Sequence, residues 1–365
     1  MRVKPSLKLS HPVLLIFALL IFSGFYVVNC SDNPTDPAAQ EIFQDETEIL
    51  QTNQSSDLPL FYQSLTDQYE NIGSSGKVYI SHAGYDFVTV VDIASNEIIG
   101  IIRAVQSTVG IDFSPDGTTG YISGAEADKL FIFDKRTNQE IAKIPAGNFP
   151  TYVKVINNGA HVVISHQSSD NAWVLDTSTN TIIDTDFAGW GGICAVDGGS
   201  TLFQPQIFQG TVKIYDAVNL KLKDSFFPGG RPMWIDFTND EQYAYLANAD
   251  MNEVQKIENK RPYSIVQRIS MLMPGHIDIT PDGKFAYVTN NGYGTVSVID
   301  LSNDKVISTI IVGDIPKRVI VTADGKYAYV NNLAGHLDVI DTATNTIFKT
   351  IVVASGSNFM YVDSQ

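Results

Sequence analysis

Seven residues of the chain recur at one position of a repeated pattern, and several of them are of types that dominate binding interfaces. This first column has steps of 40 or 42 residues and consists of Gly110, Tyr152, Gly192, Trp234, His276, Arg318 and Asn358. Aromatic side chains and Arg supply much of the binding energy at interfaces. We therefore interpret the column as a binding surface. The alternative is that its members vary freely as rim packing or solvated surface.

A second column lies two residues further along the chain and carries charge. Its members are Asp112, Lys154, Cys194, Asp236, Asp278, Ile320 and Met360. Three carboxylates at one position could converge on a hard cation, which prefers oxygen ligands. Lys154 opposes a high-affinity metal, so we predict a hydrated lining of an internal channel at Asp112, Lys154, Asp236 and Asp278. No cofactor is predicted, and a divalent cation is the weaker alternative.

Four histidines give a weak metal-binding signal. His82 and His166 occupy equivalent repeat positions, and we expect His276 and His336 on the same face. Metal sites usually show compact ligand spacing, which these residues lack. The chain also lacks Cys-x-x-Cys-His, His-Glu-x-x-His and Gly-x-Ser-x-Gly sequences, which are typical of haem attachment, zinc peptidases and serine hydrolases. We predict no catalytic residue.

The elements that must position these columns are short strands joined by tight turns. A run of alternating apolar residues ends in an acid every 40 to 42 residues, at Asp92, Asp134, Asp176, Asp216, Glu258, Asp300 and Asp341. Asp and Asn side chains bond the N–H groups of their own turns, so we assign these acids a structural role. A second turn recurs as Ser114-Pro115-Asp116-Gly117 and Thr280-Pro281-Asp282-Gly283. The period-two pattern between turns predicts four strands in each of seven repeats.

One repeat carries a specific resemblance. Tyr287-Val288-Thr289-Asn290-Asn291, followed by Thr295-Val296-Ser297-Val298-Ile299-Asp300, resembles the YVTN family of β-propeller repeats. The resemblance implies an all-β, seven-bladed propeller with four-stranded blades over residues 76–365. Residues 358–363 match a first strand, so we predict that the C-terminal strand completes the first blade. The family is common among exported and surface-layer proteins, and some of its relatives hold copper or haem through several His or bind nucleic acid.

The N-terminus has the pattern of an export signal. Arg2, Lys4 and Lys8 precede an apolar run that ends at Val27-Val28-Asn29-Cys30, which resembles the lipobox of bacterial lipoproteins. We predict a signal peptide over residues 1–29 and lipidation of Cys30. The protein is then anchored in the cell envelope, at the outer membrane, at the cell surface or in the periplasm. An uncleaved membrane anchor and ordinary signal cleavage are the alternatives.

Acidity dominates the rest of the chain. The whole chain has 24 Lys+Arg and 40 Asp+Glu, a net charge of −16, and removal of residues 1–29 makes it −19. Such a charge opposes general nucleic-acid binding. Residues 30–75 contain nine acids and no Lys or Arg, which is typical of a flexible tether. The alternative is a short helix near residues 41–50, with residues 60–62 docked on the domain.

These observations favour a non-enzymatic binding or scaffold lipoprotein. We expect a monomeric propeller whose face binds an envelope protein, a glycan or a small ligand. The candidate residues are Tyr152, Trp190, Arg231, Trp234, His276, Lys317 and Arg318. The alternative is a propeller enzyme or enzyme subunit, either an oxidoreductase or a lactone hydrolase, with a metal or redox cofactor on the channel face. A propeller fold hosts many functions, so the fold alone does not decide between the binding protein and the enzyme.

Overall fold

The computed structural model describes residues 76–167, 171–188, 192, 194–196 and 200–363. Over these ranges the chain forms 28 strands in seven four-stranded antiparallel sheets, which confirms the seven-bladed propeller. The described residues contain no α-helix, only a 3₁₀ turn at Asn157–Gly159. None of their helical segments is long and apolar enough to cross a bilayer. The predicted signal peptide, Cys30 and the tether lie outside the described residues.

Each blade has its innermost strand at the axis and three strands outside it. Blade 1 comprises β28 (Ser357–Asp363), β1 (Lys77–His82), β2 (Phe87–Asp92) and β3 (Glu97–Arg103). Blade 2 comprises β4 (Thr108–Phe113), β5 (Thr119–Gly124), β6 (Lys129–Asp134) and β7 (Glu140–Pro145). Blade 3 comprises β8 (Pro150–Ile156), β9 (His161–His166), β10 (Asn171–Asp176) and β11 (Thr181–Ala188). Blade 4 comprises β12 (Cys194–Val196), β13 (Thr201–Gln206), β14 (Thr211–Asp216) and β15 (Lys221–Phe226).

The last three blades follow the same plan. Blade 5 comprises β16 (Pro232–Phe237), β17 (Tyr243–Asn248), β18 (Glu253–Glu258) and β19 (Ile265–Ser270). Blade 6 comprises β20 (Pro274–Ile279), β21 (Phe285–Asn290), β22 (Thr295–Asp300) and β23 (Lys305–Ile311). Blade 7 comprises β24 (Pro316–Val321), β25 (Tyr327–Asn332), β26 (His336–Asp341) and β27 (Thr346–Val352). Innermost strands of neighbouring blades, such as β20 and β24, pack against each other around the axis.

The C-terminal strand closes the ring, as the sequence predicted. β28 pairs with β1 in antiparallel register, with Lys77 opposite Asp363 and Tyr79 opposite Tyr361. Blade 1 is thereby built from both ends of the propeller, which leaves neither end as an unpaired edge. Phe359 and Met360 are buried in this strand, so closure also adds apolar packing.

Turn acids act as the sequence indicated, on their own backbone. Asp134 Oδ1 accepts the N–H groups of Arg136 and Thr137, both at 2.9 Å. Four residues after the acid, Asn138 has a φ of 56°, in the left-handed region that Asn tolerates better than most residues. These bonds confirm the structural role assigned to Asp134, and the same kind of bond occurs at Asp92, Asp176, Asp216, Asp300 and Asp341.

Buried tyrosines connect neighbouring blades, a function that the turn analysis did not reveal. The Tyr287 hydroxyl donates to Asn345 Oδ1 at 2.6 Å, and the Tyr245 hydroxyl donates to Asp304 Oδ1 at 2.6 Å. Tyr329 makes the corresponding bond to Asn96, at 2.5 Å. In blades 5, 6 and 7 the tyrosine at this strand position is therefore a latch onto the outer turn of the next blade.

Candidate functional site

A cavity of about 480 Å³ opens at the axis between the innermost strands. Both sequence columns contribute to it, because alternate residues of an innermost strand face the axis. Its lining includes Asp112, Tyr152, Lys154, Cys194, Trp234, Asp236, His276, Asp278, Arg318 and Phe359. The structure thus brings together the predicted channel residues and four of the seven binding candidates.

The three predicted channel carboxylates perform one repeated structural task. Asp236 Oδ2 accepts the N–H of Ile279 at 2.9 Å. Asp278 Oδ2 accepts the N–H of Val321 at 2.6 Å, and Asp112 Oδ2 accepts that of Val155 at 2.8 Å. In each case the donor lies 43 residues later, in the innermost strand of the next blade. The carboxylates therefore join adjacent blades at the channel wall.

Two of these carboxyl groups hold protons more tightly than usual. Burial raises the pKa of Asp236 to about 6. Burial, and then the charge of Asp236, raises the pKa of Asp278 well above its usual value. Because the two groups interact, we describe them as a pair whose loss of protons is shifted to higher pH than usual for aspartate. Asp112 differs, since it has an ion pair with Lys154 at 3.2 Å.

Aromatic rings surround Arg318 in the part of the cavity near the beginning of the innermost strands, which we call the channel mouth. The guanidinium carbon of Arg318 lies 3.9 Å from the ring centroid of Phe359 and 4.6 Å from that of Trp234. His276 stacks on Trp234 at 4.4 Å with an interplanar angle of 30°. Tyr152 meets Phe359 edge to face at 4.6 Å. Aromatic faces stabilise a planar cation by cation–π attraction, so Arg318 is held in place from its sides.

The guanidinium of Arg318 makes no hydrogen bond or ion pair with any described residue. Its backbone N–H donates to Asn331 Oδ1 at 2.9 Å, which fixes the strand below it. Burial lowers the pKa of Arg318 to about 10, against the opposing effects of Tyr152, Asp112 and Asp278. The side chain is therefore cationic at neutral pH, and it lines the cavity.

His276 is the second polar group at the mouth. It is 6% exposed, and neither ring nitrogen has a hydrogen bond of ordinary geometry to a described residue. Burial, and then the charge of Arg318, lowers its pKa well below the usual value, while the Val319 backbone acts in the opposite direction. The imidazole is neutral at pH 7 and offers one donor and one acceptor.

Strand pairing corrects the two columns in blade 1. The sequence columns placed Asn358 and Met360 there, but Phe359 and Tyr361 occupy the equivalent positions, because Tyr361 pairs with Tyr79. The signal was present in the sequence: Arg318 follows its turn acid by 18 residues, and Phe359 follows Asp341 by the same number. The step from Arg318 is therefore 41 residues, and this shift brings Phe359 against Arg318.

Two of the binding candidates, Arg231 and Lys317, lie outside the cavity lining. Arg231 forms an ion pair with Asp250 at 3.0 Å and does not line the cavity. Lys317 is 8% exposed and also lies outside the cavity lining. Trp190 lies outside the described residues. The cavity thus selects Tyr152, Trp234, His276 and Arg318 from the predicted face.

The other three histidines of the weak metal signal do not share a site. The ring of His82 is buried and bonds Thr89 Oγ1 at 2.8 Å, and burial lowers its pKa to about 3. His166 bonds the Ala146 carbonyl, and His336 is exposed. Among the residues that the structure describes, no three His, Cys, Asp or Glu side chains form a group able to hold a metal ion.

Cys194 is a free thiol at the channel wall. Burial, and then the charge of Asp236, raises its pKa. The thiolate is the reactive form of cysteine, so this position is chemically quiet at neutral pH.

Solved structures similar to this chain are β-propellers. A functionally unknown protein from Desulfotomaculum acetoxidans aligns with a TM-score of 0.67 and 16% identity, over 79% of this chain and 99% of that one. A periplasmic gluconolactonase from Pseudomonas aeruginosa aligns with 0.66 and 16%, over 80% and 99%. A putative 6-phosphogluconolactonase from Bacteroides fragilis aligns with 0.65 and 18%, over 80% and 99%. These likenesses concern the fold. No protein-family model and no curated protein matches the chain.

Proposed function

We propose that this protein is a non-catalytic binding module of the cell envelope, and that the mouth of the propeller channel is its binding site. One observation carries the proposal: the guanidinium of Arg318, which has no hydrogen bond or ion pair with a described residue, is held by Trp234 and Phe359 at a cavity of about 480 Å³. Concave sites with aromatic walls and a few convergent polar groups are typical of ligand binding.

The location in the envelope rests on the N-terminal sequence. Basic residues, an apolar run and the sequence Val27-Val28-Asn29-Cys30 favour export and lipidation. We also propose that the repeats are of the YVTN type, as the buried tyrosine latches support.

The experiment is to purify the chain gently from its own host and identify bound molecules by native mass spectrometry. We expect a stoichiometric small molecule or partner with the wild-type protein and its loss with the double variant Trp234→Ala, Arg318→Met. Arg231→Met serves as a control for charge, because its side chain lies outside the cavity. Unchanged capture by a folded double variant would reject the mouth as the binding site.

A lactone hydrolase is the second candidate, and one observation favours it. The raised pKa of Asp236, about 6, suits a group that exchanges protons near neutral pH, and His276 lies in the same cavity. Two similar structures are described as lactonases. Asp236→Asn keeps an acceptor for the Ile279 N–H and removes the titration. Lactone hydrolysis by the wild-type chain that this variant abolishes would replace the binding proposal with the enzymatic one.

A further inference from the structure

We propose that the ligand of the channel mouth is an organic molecule with a single carboxylate, which the guanidinium of Arg318 binds. This inference rests on the proposed binding function and specifies its ligand class. It begins from the guanidinium donors of Arg318, none of which bonds a described residue. Arg presents parallel N–H donors that match the two oxygens of a carboxylate.

The charges around the cavity favour a monoanion. Lys154 is already paired with Asp112 at 3.2 Å, so it contributes little net charge. Asp236 and Asp278 face the same cavity, and their carboxylate charge opposes a second negative charge on the ligand. Arg318 is the one cation of the described lining without an ionic partner. A phosphate dianion would need more positive charge than this lining supplies, whereas one carboxylate balances one guanidinium.

His276 supplies a second polar contact. Its ring is 6% exposed, lines the cavity and has no well-formed hydrogen bond to a described residue. A buried polar group without a partner costs free energy, so a ligand that bonds the imidazole removes this cost. The neutral ring can donate to a carboxylate oxygen or accept from a hydroxyl group of the ligand.

The walls of the mouth favour an organic body over a bare inorganic anion. Tyr152, Trp234 and Phe359 bring three aromatic side chains to the lining. The cavity of about 480 Å³ falls within the usual range for small-molecule sites, roughly 300 to 1,000 Å³. A carboxylate attached to a ring would place its charge on Arg318 and its apolar surface against these side chains.

Benzoate and its neutral isostere benzamide test the ligand class. We expect calorimetry to show saturable binding of benzoate to the full chain. Benzamide should bind about 10- to 100-fold more weakly, because a hydrogen bond between charged groups is lost. Arg318→Met should reduce benzoate binding to the level of benzamide. Arg103→Met is the matched control, since Arg103 is exposed and pairs with Asp86 at 3.2 Å, and it should bind benzoate as the wild type does.

Each contrary outcome has a distinct meaning. Equal binding of benzoate and benzamide would overturn the carboxylate assignment and leave the channel mouth as a binding site. Benzoate binding that survives Arg318→Met would place the anion elsewhere and also overturn it. No saturable binding of benzoate below about 10 mM would overturn the carboxylate class, while the loss of the native ligand from the double variant would still support the proposed function. Circular dichroism of Arg318→Met verifies that the variant is folded.

Discussion

Deletion of residues 358–365 should open the propeller. The deletion removes most of β28 and its pairing with β1 from Lys77 to Ile80. It also removes Phe359 and Met360, which are 5% and 1% exposed. Loss of a large buried side chain costs about 2 to 5 kcal/mol, so these two residues alone account for about 4 to 10 kcal/mol.

That loss is comparable with the whole stability of a typical domain, about 5 to 15 kcal/mol. We expect the truncated chain to melt at least about 10 °C below the full chain, since each kcal/mol shifts the melting temperature of a large domain by about 2 to 4 °C. Differential scanning calorimetry measures the shift. Removal of residues 364 and 365 alone is the control, because it leaves all of β28 in place.

An unchanged melting temperature after the eight-residue deletion would refute the reasoning. It would mean that β1 forms a stable edge of blade 1 without β28. If the two-residue control also had a lower melting temperature, the loss of stability would come from the last residues of the chain and not from the closing strand.

Three further predictions follow from the channel and its supports. Because the pKa of Asp236 is raised to about 6, its protonation favours the fold fully below the unfolded value of about 3.9, and this contribution is lost as the pH rises through about 6. Asp236→Asn should flatten that loss in melting curves between pH 4 and 7. Tyr287→Phe removes the bond to Asn345 and should cost about 1 kcal/mol in urea unfolding; no change would discount the latch. The raised pKa of Cys194 should make its reaction with a disulfide reagent at pH 8 much slower than in urea, and equal rates would contradict its burial.

The repeat in the sequence was sufficient to predict the architecture. The turn acids, such as Asp134, and the period-two strands between them are local features, so they could be found without coordinates. Closure by β28 was also predictable, because the repeat region begins in the second strand of a blade and ends in a first strand. These features depend on short-range backbone geometry, which the sequence pattern records directly.

The site was only partly predictable, because it depends on contacts between blades. The columns placed Trp234, His276 and Arg318 at one level, but the seven-fold pattern does not specify that Arg318 turns between two rings. Phe359 was missed because the last repeat is one residue shorter between turn acids. The bonds from Asp236 and Asp278 to the next blade also join residues far apart in the sequence. Residue type alone could not show whether these carboxylates bond the backbone or line a hydrated channel.

The most direct test of the account is a crystal structure of the wild-type chain purified from its own host and crystallised without added carboxylate. The account predicts ligand density in the axial cavity, with two oxygen atoms within hydrogen-bond distance of the Arg318 guanidinium and an organic body against Trp234 and Phe359. A native ligand bound on an outer blade surface, with Arg318 bonded to a residue of the protein itself, would contradict it.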